Sequence, residues 1–271
     1  MLPSIMLAWL LLPEGLAFWV AAASAGALCL LSYVDDRIGL PIVLRLSLHF
    51  AAAVMFVLAI ALPPVISVAA TLVIVWSTNL YNFMDGSDGL AGGMALVGFS
   101  CFAIAAAHDL PALALACACI AAGAAGFLLF NFNPARVFLG DAGSIPLGFL
   151  VGAIGIIGWH ATLWDAWFPL LVFAPFIVDA SFTLLRRAFK GERIWEAHHD
   201  HYYQRLVRMG WSHRRLALVE YALMLAVAIA ALVLRCVAPD VQLAGLLALA
   251  AGMASLMFVI DRRWMRHQGT Q

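Results

Sequence analysis

Hydrophobic residues follow one another in long, nearly unbroken runs, and polar residues are confined to the short segments between the runs. Most runs approach the roughly 20 residues that cross a bilayer as an α-helix. They are rich in Ala and Leu and show no period-2 alternation, which favours helices over the strands of a membrane barrel. Nine membrane-spanning helices are predicted, at residues 15–33, 46–62, 64–80, 90–107, 112–130, 145–159, 166–185, 216–235 and 241–260.

The composition is typical of an integral membrane protein. The chain has 271 residues, of which 65% are hydrophobic and 11% are charged, whereas a soluble domain is roughly 45–50% apolar. The mean hydropathy is +0.99. The predicted fold is therefore all-α, a polytopic transmembrane helical bundle of about nine spans, with residues 1–271 forming a single domain. Its predicted surroundings are a lipid bilayer, and no nucleic-acid partner is expected.

The basic residues are distributed very unevenly between the two sides of this bundle. Of the 15 Lys and Arg residues, only Arg235 falls on one side. Because loops rich in Lys and Arg stay in the cytoplasm, the other side is predicted to be cytoplasmic, together with the C-terminus. The cytoplasmic loops are predicted at about 34–45, 81–90, 131–144 and 186–215.

Each predicted cytoplasmic loop carries a cluster of acids, amides or cations. An ionised Asp near hydrocarbon is disfavoured by several kcal/mol unless a cation, water or a cavity compensates, so these clusters are candidate functional sites. Gly residues beside the acids would let main-chain amides approach a ligand. An ordinary Asp/Gly loop or a polar end of a span is the alternative for each cluster taken alone. The candidates are Asp35, Asp36 and Arg45, then Asn82, Asp85 and Asp88, then Asn131, Phe138 and Asp141.

The fourth loop is the longest polar segment and is rich in histidine. If it is helical, His198, His201, Arg205 and Arg208 share one face that would hold phosphates, with His199 beside them. A zinc site and a solvated basic loop are the alternatives. Asp179 lies deep in an apolar run, and either faces the site from below or bonds a neighbouring helix.

The four clusters share one face of the membrane, which suggests one shared site. Acids for a divalent metal, cations for phosphates and amides for a nucleoside together suit phosphoryl transfer, where catalysis is mostly positioning and charge stabilisation. Neither a P-loop nor a dinucleotide-binding glycine pattern is present, so neither an ATPase of that type nor a nicotinamide enzyme is indicated. A transporter is the rival from another class, because it too would carry intramembrane acids, and a catalytically inactive scaffold is a third.

Four motifs, in this order, resemble the polyprenyl-phosphate N-acetylhexosamine-1-phosphate transferase family. They are Tyr33-Val-Asp35-Asp36-Arg37, Asn79-Leu-Tyr-Asn82-Phe-Met-Asp85-Gly-Ser-Asp88-Gly-Leu, Phe138-Leu-Gly-Asp141-Ala-Gly-Ser144, and the His-rich loop. The likeness covers most of the chain from about Ser32 to Trp211. Within the family, the His-rich loop is more similar to bacterial undecaprenyl-phosphate sugar-1-phosphate transferases than to phospho-N-acetylmuramoyl-pentapeptide transferase, which is the runner-up.

The resemblance implies a reaction, a location and its participants. A UDP-linked N-acetylamino sugar would pass its sugar 1-phosphate to undecaprenyl phosphate, releasing UMP and starting a lipid-linked surface polysaccharide. The site would lie on the cytoplasmic face of the bacterial inner membrane, and magnesium, or manganese in its place, would bridge the UDP diphosphate. A homodimer is one option for the assembly. Direct attack by the lipid phosphate is preferred to a route through an aspartyl intermediate, because phosphate is already an anionic nucleophile.

The resemblance also implies a role for each candidate residue. Asp35 matches the acid proposed to bind or deprotonate the lipid phosphate, with Asp36 beside it. Asp141 matches the metal ligand, supported by Asp88. The remaining candidates match the nucleotide side (Asn82, Asp85 and Phe138, the last as the uracil-stacking position) and the phosphate and sugar side (Asn131, Arg45, His198, His199, His201 and Arg205). The pattern departs from the family before residue 32, where further helices and a loop with a Pro-Asn and Gly-Gly pattern are expected.

Overall fold

The computed structural model describes residues 1–13, 15–193 and 199–269. These residues are 79% helical and contain no β-strand, in agreement with the predicted all-α class. The helices are α1 Leu2–Trp9, α2 Leu16–Ile38, α3 Ile42–Ile60, α4 Pro64–Phe83, α5 Leu90–Ala106, α6 Pro111–Asn131, α7 Asp141–His160, α8 Trp167–Val172, α9 Ala174–Phe189, α10 Tyr202–Arg208, α11 His213–Leu234 and α12 Pro239–Gln268.

Seven of these helices (α2, α3, α4, α6, α7, α11 and α12) are long and apolar enough to cross a membrane. The run predicted at 90–107 forms α5, an apolar helix of 17 residues. The run predicted at 166–185 is interrupted at Phe173, which separates α8 from α9. All nine predicted runs are thus helical, while the count of nine spans and the side of the C-terminus stay predictions.

The helices extend further into the polar segments than the sequence predicted. α2 runs through Asp35 and Asp36 to Ile38, and the connection to α3 is only residues 39–41. Gly39 closes α2 in the left-handed conformation (φ 68°), with its N–H donating to Asp35 O at 2.8 Å. Pro41, which has no N–H to lose, then precedes α3. The two acids therefore lie on a helix, and successive side chains on a helix point in different directions.

α7 lies at the centre of the bundle and packs closely on α4. Of its most apolar 18-residue stretch, 83% is buried. A Cβ on Gly148 would lie 2.5 Å from Ser77 O, and one on Gly152 would lie 3.0 Å from Ile74 Cα. Small residues thus let the two backbones approach each other closely. This contact fixes the first turn of α7 against the last turn of α4, where the candidate site lies.

Two glycines begin the helices that border the site. Gly89 (φ 77°) precedes α5 and Gly140 (φ 62°) precedes α7, both in a region that side-chain-bearing residues rarely adopt. The chain can therefore turn sharply at each position and enter the helix at once. Asp141 becomes the first residue of α7, where the positive end of the helix dipole favours a carboxylate.

Candidate active site

Arg45, near the start of α3, lies between two carboxylates. Its Nη1 is 2.7 Å from Asp35 Oδ2 and 3.6 Å from Asp141 Oδ2. Asp35 is buried, and its other oxygen accepts a hydrogen bond from Leu40 N at 2.6 Å. Both oxygens of Asp35 are therefore engaged by the protein. The longer contact to Asp141 leaves Arg45 able to share its charge with an anion arriving beside it.

Asp36 has a different environment from its neighbour. It is exposed, whereas Asp35 is buried. A Cβ placed on Gly140 would lie 3.8 Å from Asp36 Oδ2, so this carboxylate faces the turn that leads into Asp141. Of the adjacent pair, Asp35 is the one that holds Arg45 and Asp36 is the one that faces the site.

Asn82, in the last turn of α4, fixes the orientation of Asp141. Its Nδ2 donates to Asp141 Oδ1 at 2.7 Å and approaches Ser144 Oγ at 3.0 Å. Ser144 in turn donates to Gly140 O at 3.0 Å. Because its two oxygens face Asn82 and Arg45 respectively, the Asp141 carboxylate is held in a fixed orientation.

The turn between α4 and α5 is tied to the segment that follows α6. Asp88 Oδ2 accepts hydrogen bonds from Asn133 Nδ2 at 2.8 Å and Ala135 N at 3.1 Å. Asn131 Oδ1 accepts from Gly89 N at 3.0 Å, and its Nδ2 donates to Val137 O at 2.8 Å. Asp88 and Asn131 thus have clear positioning roles in addition to the ligand roles predicted for them.

A cavity of about 320 Å³ opens between these segments. It brings together six of the residues that the sequence singled out, namely Asn82, Asp85, Asp88, Asn131, Phe138 and Asp141. The Phe138 side chain is 73% exposed at the edge of this cavity, so its ring is accessible to a planar group. We call this space the acidic cavity.

The His-rich segment is arranged differently from the expected helical face. α10 begins only at Tyr202, with His201 as its N-cap. His201 Nδ1 lies 3.2 Å from Asp179 Oδ1, and Arg205 Nη1 lies 2.7 Å from Asp261 Oδ1; both side chains are buried. These contacts favour a structural role for the two residues over the phosphate contact that the sequence suggested. His198 lies outside the described residues.

A second cavity, of about 610 Å³, adjoins the same turn between α4 and α5. It is lined by His199 and by residues of α10 and the start of α11, among them Tyr203, Gln204, Arg208 and His213. Gly86 lines both cavities. Of the predicted histidines in the described segment, His199 is therefore the one that faces an open space beside the acidic cavity.

Several residues of the site had no signal in the sequence. His213 Nδ1 is 2.8 Å from Ser87 Oγ, and Tyr221 donates its hydroxyl proton to Gly89 O at 2.7 Å. A Cβ on Gly93 would collide with the Tyr221 ring, so α11 supports the turn from behind. A polar residue inside an apolar run, such as Tyr221, is the one sequence feature that could have drawn attention to this contact.

Asp179 illustrates a choice that the sequence left open. Its Oδ1 and Oδ2 accept from Tyr202 N and Tyr203 N, each at 2.9 Å. It therefore bonds the start of a neighbouring helix, where N–H groups have no intrahelical partners. The alternative, that it faces the site from below, is wrong.

Asp85 provides a prediction about pH. Burial raises the pKa of its carboxyl to about 7, repulsion by Asp141 adds to the rise, and a hydrogen bond with the Gly140 backbone opposes it. An unfolded Asp ionises near a pKa of about 3.9. Between these two values the folded chain retains the proton and the unfolded chain does not, so this group stabilises the fold below pH 4 and the contribution is lost as the pH rises to about 7.

Asp85→Asn should therefore raise the melting temperature at pH 8 by about 2–4 °C, the effect of roughly 1 kcal/mol in a chain of this size. Near pH 4.5 the variant and the parent should melt alike. Intrinsic tryptophan fluorescence in detergent measures both, and Asp240→Asn, at an exposed position at the start of α12, is the matched control. Equal melting temperatures at pH 8 would contradict the buried, repelled carboxyl.

The chain matches one family profile and is similar to several known proteins. Residues 18–159 match the sequence profile of glycosyl transferase family 4. The chain is 34% identical over 165 residues, 60% of its length, to a probable undecaprenyl-phosphate N-acetylglucosaminyl 1-phosphate transferase of Bacillus subtilis, of which this covers 46%.

Similar matches link the chain to proteins named phospho-N-acetylmuramoyl-pentapeptide-transferase. That of Listeria welshimeri is 34% identical over 151 residues, 54% of this chain and 44% of the relative. That of Rippkaea orientalis is 33% identical over 175 residues, 61% of this chain and 46% of the relative. The chain thus spans about half the length of the curated relatives it matches.

Proposed function

Because the chain belongs to glycosyl transferase family 4, we propose that it is a phosphosugar transferase acting on a membrane lipid. The proposed donor is a UDP-N-acetylamino sugar and the proposed acceptor is undecaprenyl phosphate. The products are the lipid diphosphate sugar and UMP, and the reaction takes place on the cytoplasmic face of the bacterial inner membrane. The family match favours a transferase over the transporter considered from the sequence, and UMP release distinguishes an active transferase from the inactive scaffold.

One observation carries the proposal: Arg45 joins Asp35 and Asp141 at the end of the bundle where α2, α3, α4 and α7 meet. A cation and acids gathered where spans end suit an acceptor whose phosphate lies at the membrane surface and whose tail lies in the bilayer. The acidic cavity opens beside this cluster and is large enough for part of a nucleotide. Lipid and nucleotide would therefore meet at Asp141.

The carboxylate and amide oxygens that line the acidic cavity suit a magnesium ion. Among the residues described, no group of three His, Cys, Asp or Glu side chains converges as a protein-only metal site would require. Magnesium commonly uses one or two carboxylates and completes its octahedron with water and substrate phosphates. Asp141 and Asp85 repel each other, which a cation between phosphate and protein would relieve. Bound there, the ion would neutralise the diphosphate as charge develops on the leaving UMP.

The protein residues then orient two anions toward each other. Arg45 attracts the lipid phosphate, while Asp35 holds the guanidinium in place. A phosphate oxygen of the lipid attacks the β-phosphorus of the donor, forming the new P–O bond as the bond to the bridging oxygen breaks, and UMP leaves with that oxygen. Asp36 faces the turn at Gly140 and is placed to accept a proton from the acceptor phosphate if it arrives protonated. Positioning supplies much of the rate in such a direct transfer.

The names of several relatives favour a second candidate for the donor. Several relatives carry the name phospho-N-acetylmuramoyl-pentapeptide-transferase. For this chain, a UDP-muramoyl-pentapeptide donor would undergo the same transfer, with a larger group projecting from the sugar. The cavity containing His199 and Arg208 offers polar and basic groups to either donor.

The proposal is tested by UMP release. Membranes that contain the chain are supplied with undecaprenyl phosphate, magnesium and a panel of UDP-N-acetylamino sugars, with UDP-muramoyl-pentapeptide as a further donor. Magnesium-dependent UMP and a lipid product of the mass of the sugar diphosphate are expected with one donor of the panel. Binding of every donor without UMP from any would overturn the transferase in favour of the inactive scaffold.

A further inference from the structure

Asp261, near the end of α12, contacts side chains from two other helices. Its Oδ1 lies 2.7 Å from Arg186 Nη1 and 2.7 Å from Arg205 Nη1, and its Oδ2 accepts from the Tyr202 hydroxyl at 2.9 Å. Arg186 belongs to α9, and Tyr202 and Arg205 belong to α10. One carboxylate on the last helix therefore joins the end of α9 to α10.

Arg205 depends strongly on this carboxylate. It is only 2% exposed, and its Nε is buried with no hydrogen-bond partner. Its guanidinium lies 4.9 Å from the Tyr202 ring centre and 5.9 Å from that of Trp264, also on α12. Aromatic faces stabilise a cation weakly compared with a carboxylate at hydrogen-bond distance. Loss of the Asp261 charge would leave a buried arginine without its counter-ion, which is strongly unfavourable.

The length of α12 explains how it reaches this position. Its 30 residues span about 45 Å at 1.5 Å per residue, which exceeds the roughly 30 Å of the hydrocarbon core. The excess lets its last turns extend beyond the bilayer on the side of the candidate site. Asp261 and Trp264 lie in these last turns.

α10 transmits the position of α12 to the acidic cavity. Asp179 holds the backbone at the start of α10, and Asp261 holds its side chains. Between these two anchors, Tyr203 donates its hydroxyl proton to Phe83 O at 3.2 Å and lies directly against Gly86. Gly86 lines the acidic cavity. A displacement of α10 would therefore move the turn that contains Asp85 and Asp88.

We propose that Asp261 is a positioning residue: by holding Tyr202 and Arg205 it seats α10, and through Tyr203 it fixes the 84–89 turn that receives the nucleotide of the donor. The effect on the donor rests on the proposed function. Asp261 lies outside residues 18–159, so the family match does not assign it. Arg205 accordingly acts by holding α10, whereas Arg208, whose side chain is 52% exposed, lines the cavity beside His199.

The first test reads the position of α10 without any substrate. Trypsin cleaves after arginine, and buried Arg205 should be protected in the folded parent protein. Asp261→Asn should expose the bond after Arg205, seen by mass spectrometry of the fragments. Asp240→Asn is the matched control, since it is the same exchange at an exposed position at the opposite end of α12. Protection of Arg205 in Asp261→Asn equal to that in the control would overturn the proposal.

The second test separates positioning from chemistry. Asp261→Asn should raise the KM for the UDP-sugar, and the Kd for UMP with magnesium, by about 10-fold, with kcat changed much less. Asp261→Glu, which keeps the charge, should recover most of the affinity. A folded Asp261→Asn protein that binds UMP as tightly as the parent would overturn the positioning role, even if its melting temperature is lower.

A milder variant covers the case in which Asp261→Asn does not fold. Tyr202→Phe removes one of the contacts to Asp261 and keeps the buried ring, and should weaken UMP binding by about 3-fold, near the net value of a single hydrogen bond. Unchanged UMP binding in this variant would count against the proposal. If the parent itself binds UMP but releases none from any donor, the proposed transferase fails, and the binding and trypsin results still decide the role of Asp261.

Discussion

Asp141→Asn is expected to reduce UMP release at least about 10³-fold, the equivalent of roughly 4 kcal/mol of transition-state stabilisation. The asparagine has the same shape, and its amide oxygen can still accept the hydrogen bond that Asn82 donates at 2.7 Å. What is lost is the negative charge at the start of α7, next to the repelled carboxyl of Asp85. An amide is a much poorer ligand than a carboxylate for magnesium, so the loss should fall mainly on metal-dependent turnover.

The measurement is the initial rate of UMP release at saturating donor, together with the amount of folded protein in the membrane. Asp109→Asn is the matched control, because Asp109 lies beyond the far end of α5 from the acidic cavity and pairs with exposed His108. The control should retain full activity. A fully active Asp141→Asn protein would remove Asp141 from the metal role and the acidic cavity from the reaction.

Arg45→Gln is expected to reduce UMP release by about 10²-fold or more, the range found when a preorganised electrostatic group is removed from an active site. Glutamine keeps a polar side chain at this position but removes the cation between Asp35 and Asp141. The acids of the cluster then repel an incoming phosphate. The KM for undecaprenyl phosphate should rise more than the KM for the UDP-sugar, because Arg45 is placed to meet the acceptor.

Arg37→Gln is the matched control for this variant. Arg37 is near in sequence and equally basic, but it is exposed and contacts Tyr33, with Nη2 at 2.7 Å from the hydroxyl oxygen. It should leave both KM values within about 2-fold, as is usual for surface changes. Equal losses in the Arg37 and Arg45 variants would indicate a general effect of charge at the membrane surface and would contradict a specific phosphate contact by Arg45.

Much of the fold is predictable from the sequence because membrane helices carry their own signal. Backbone groups in hydrocarbon must be satisfied within the segment, so each long apolar run becomes a helix whatever its neighbours are. The interruption at Phe173 was missed, since Phe and Ala are as apolar as the residues around them. The helix ends at Ile38 and Phe83 were also missed, because acids and amides that find partners do not end a helix.

The site was partly predictable for a related reason. The sequence placed Asp35, Asn82 and Asp141 on one face of the membrane, and the structure brings Asn82 to Asp141 and Arg45 to both acids. Which of the two adjacent acids faces the turn at Gly140 depends on the rotation of α2, which apolar runs do not encode. The role of Asp261 could not be predicted either, because its contact with Arg205 joins residues 56 positions apart through the packing of α12.

The two cavities share Gly86 in their linings, and this has a consequence for the design of inhibitors. A compound with one arm in the acidic cavity and one beside His199 and Arg208 would cross Gly86, which lines both spaces. Any side chain at this position would collide with the Tyr203 hydroxyl. If the chain acts as proposed, few substitutions at Gly86 would exclude such a compound and leave the turn and the transfer intact.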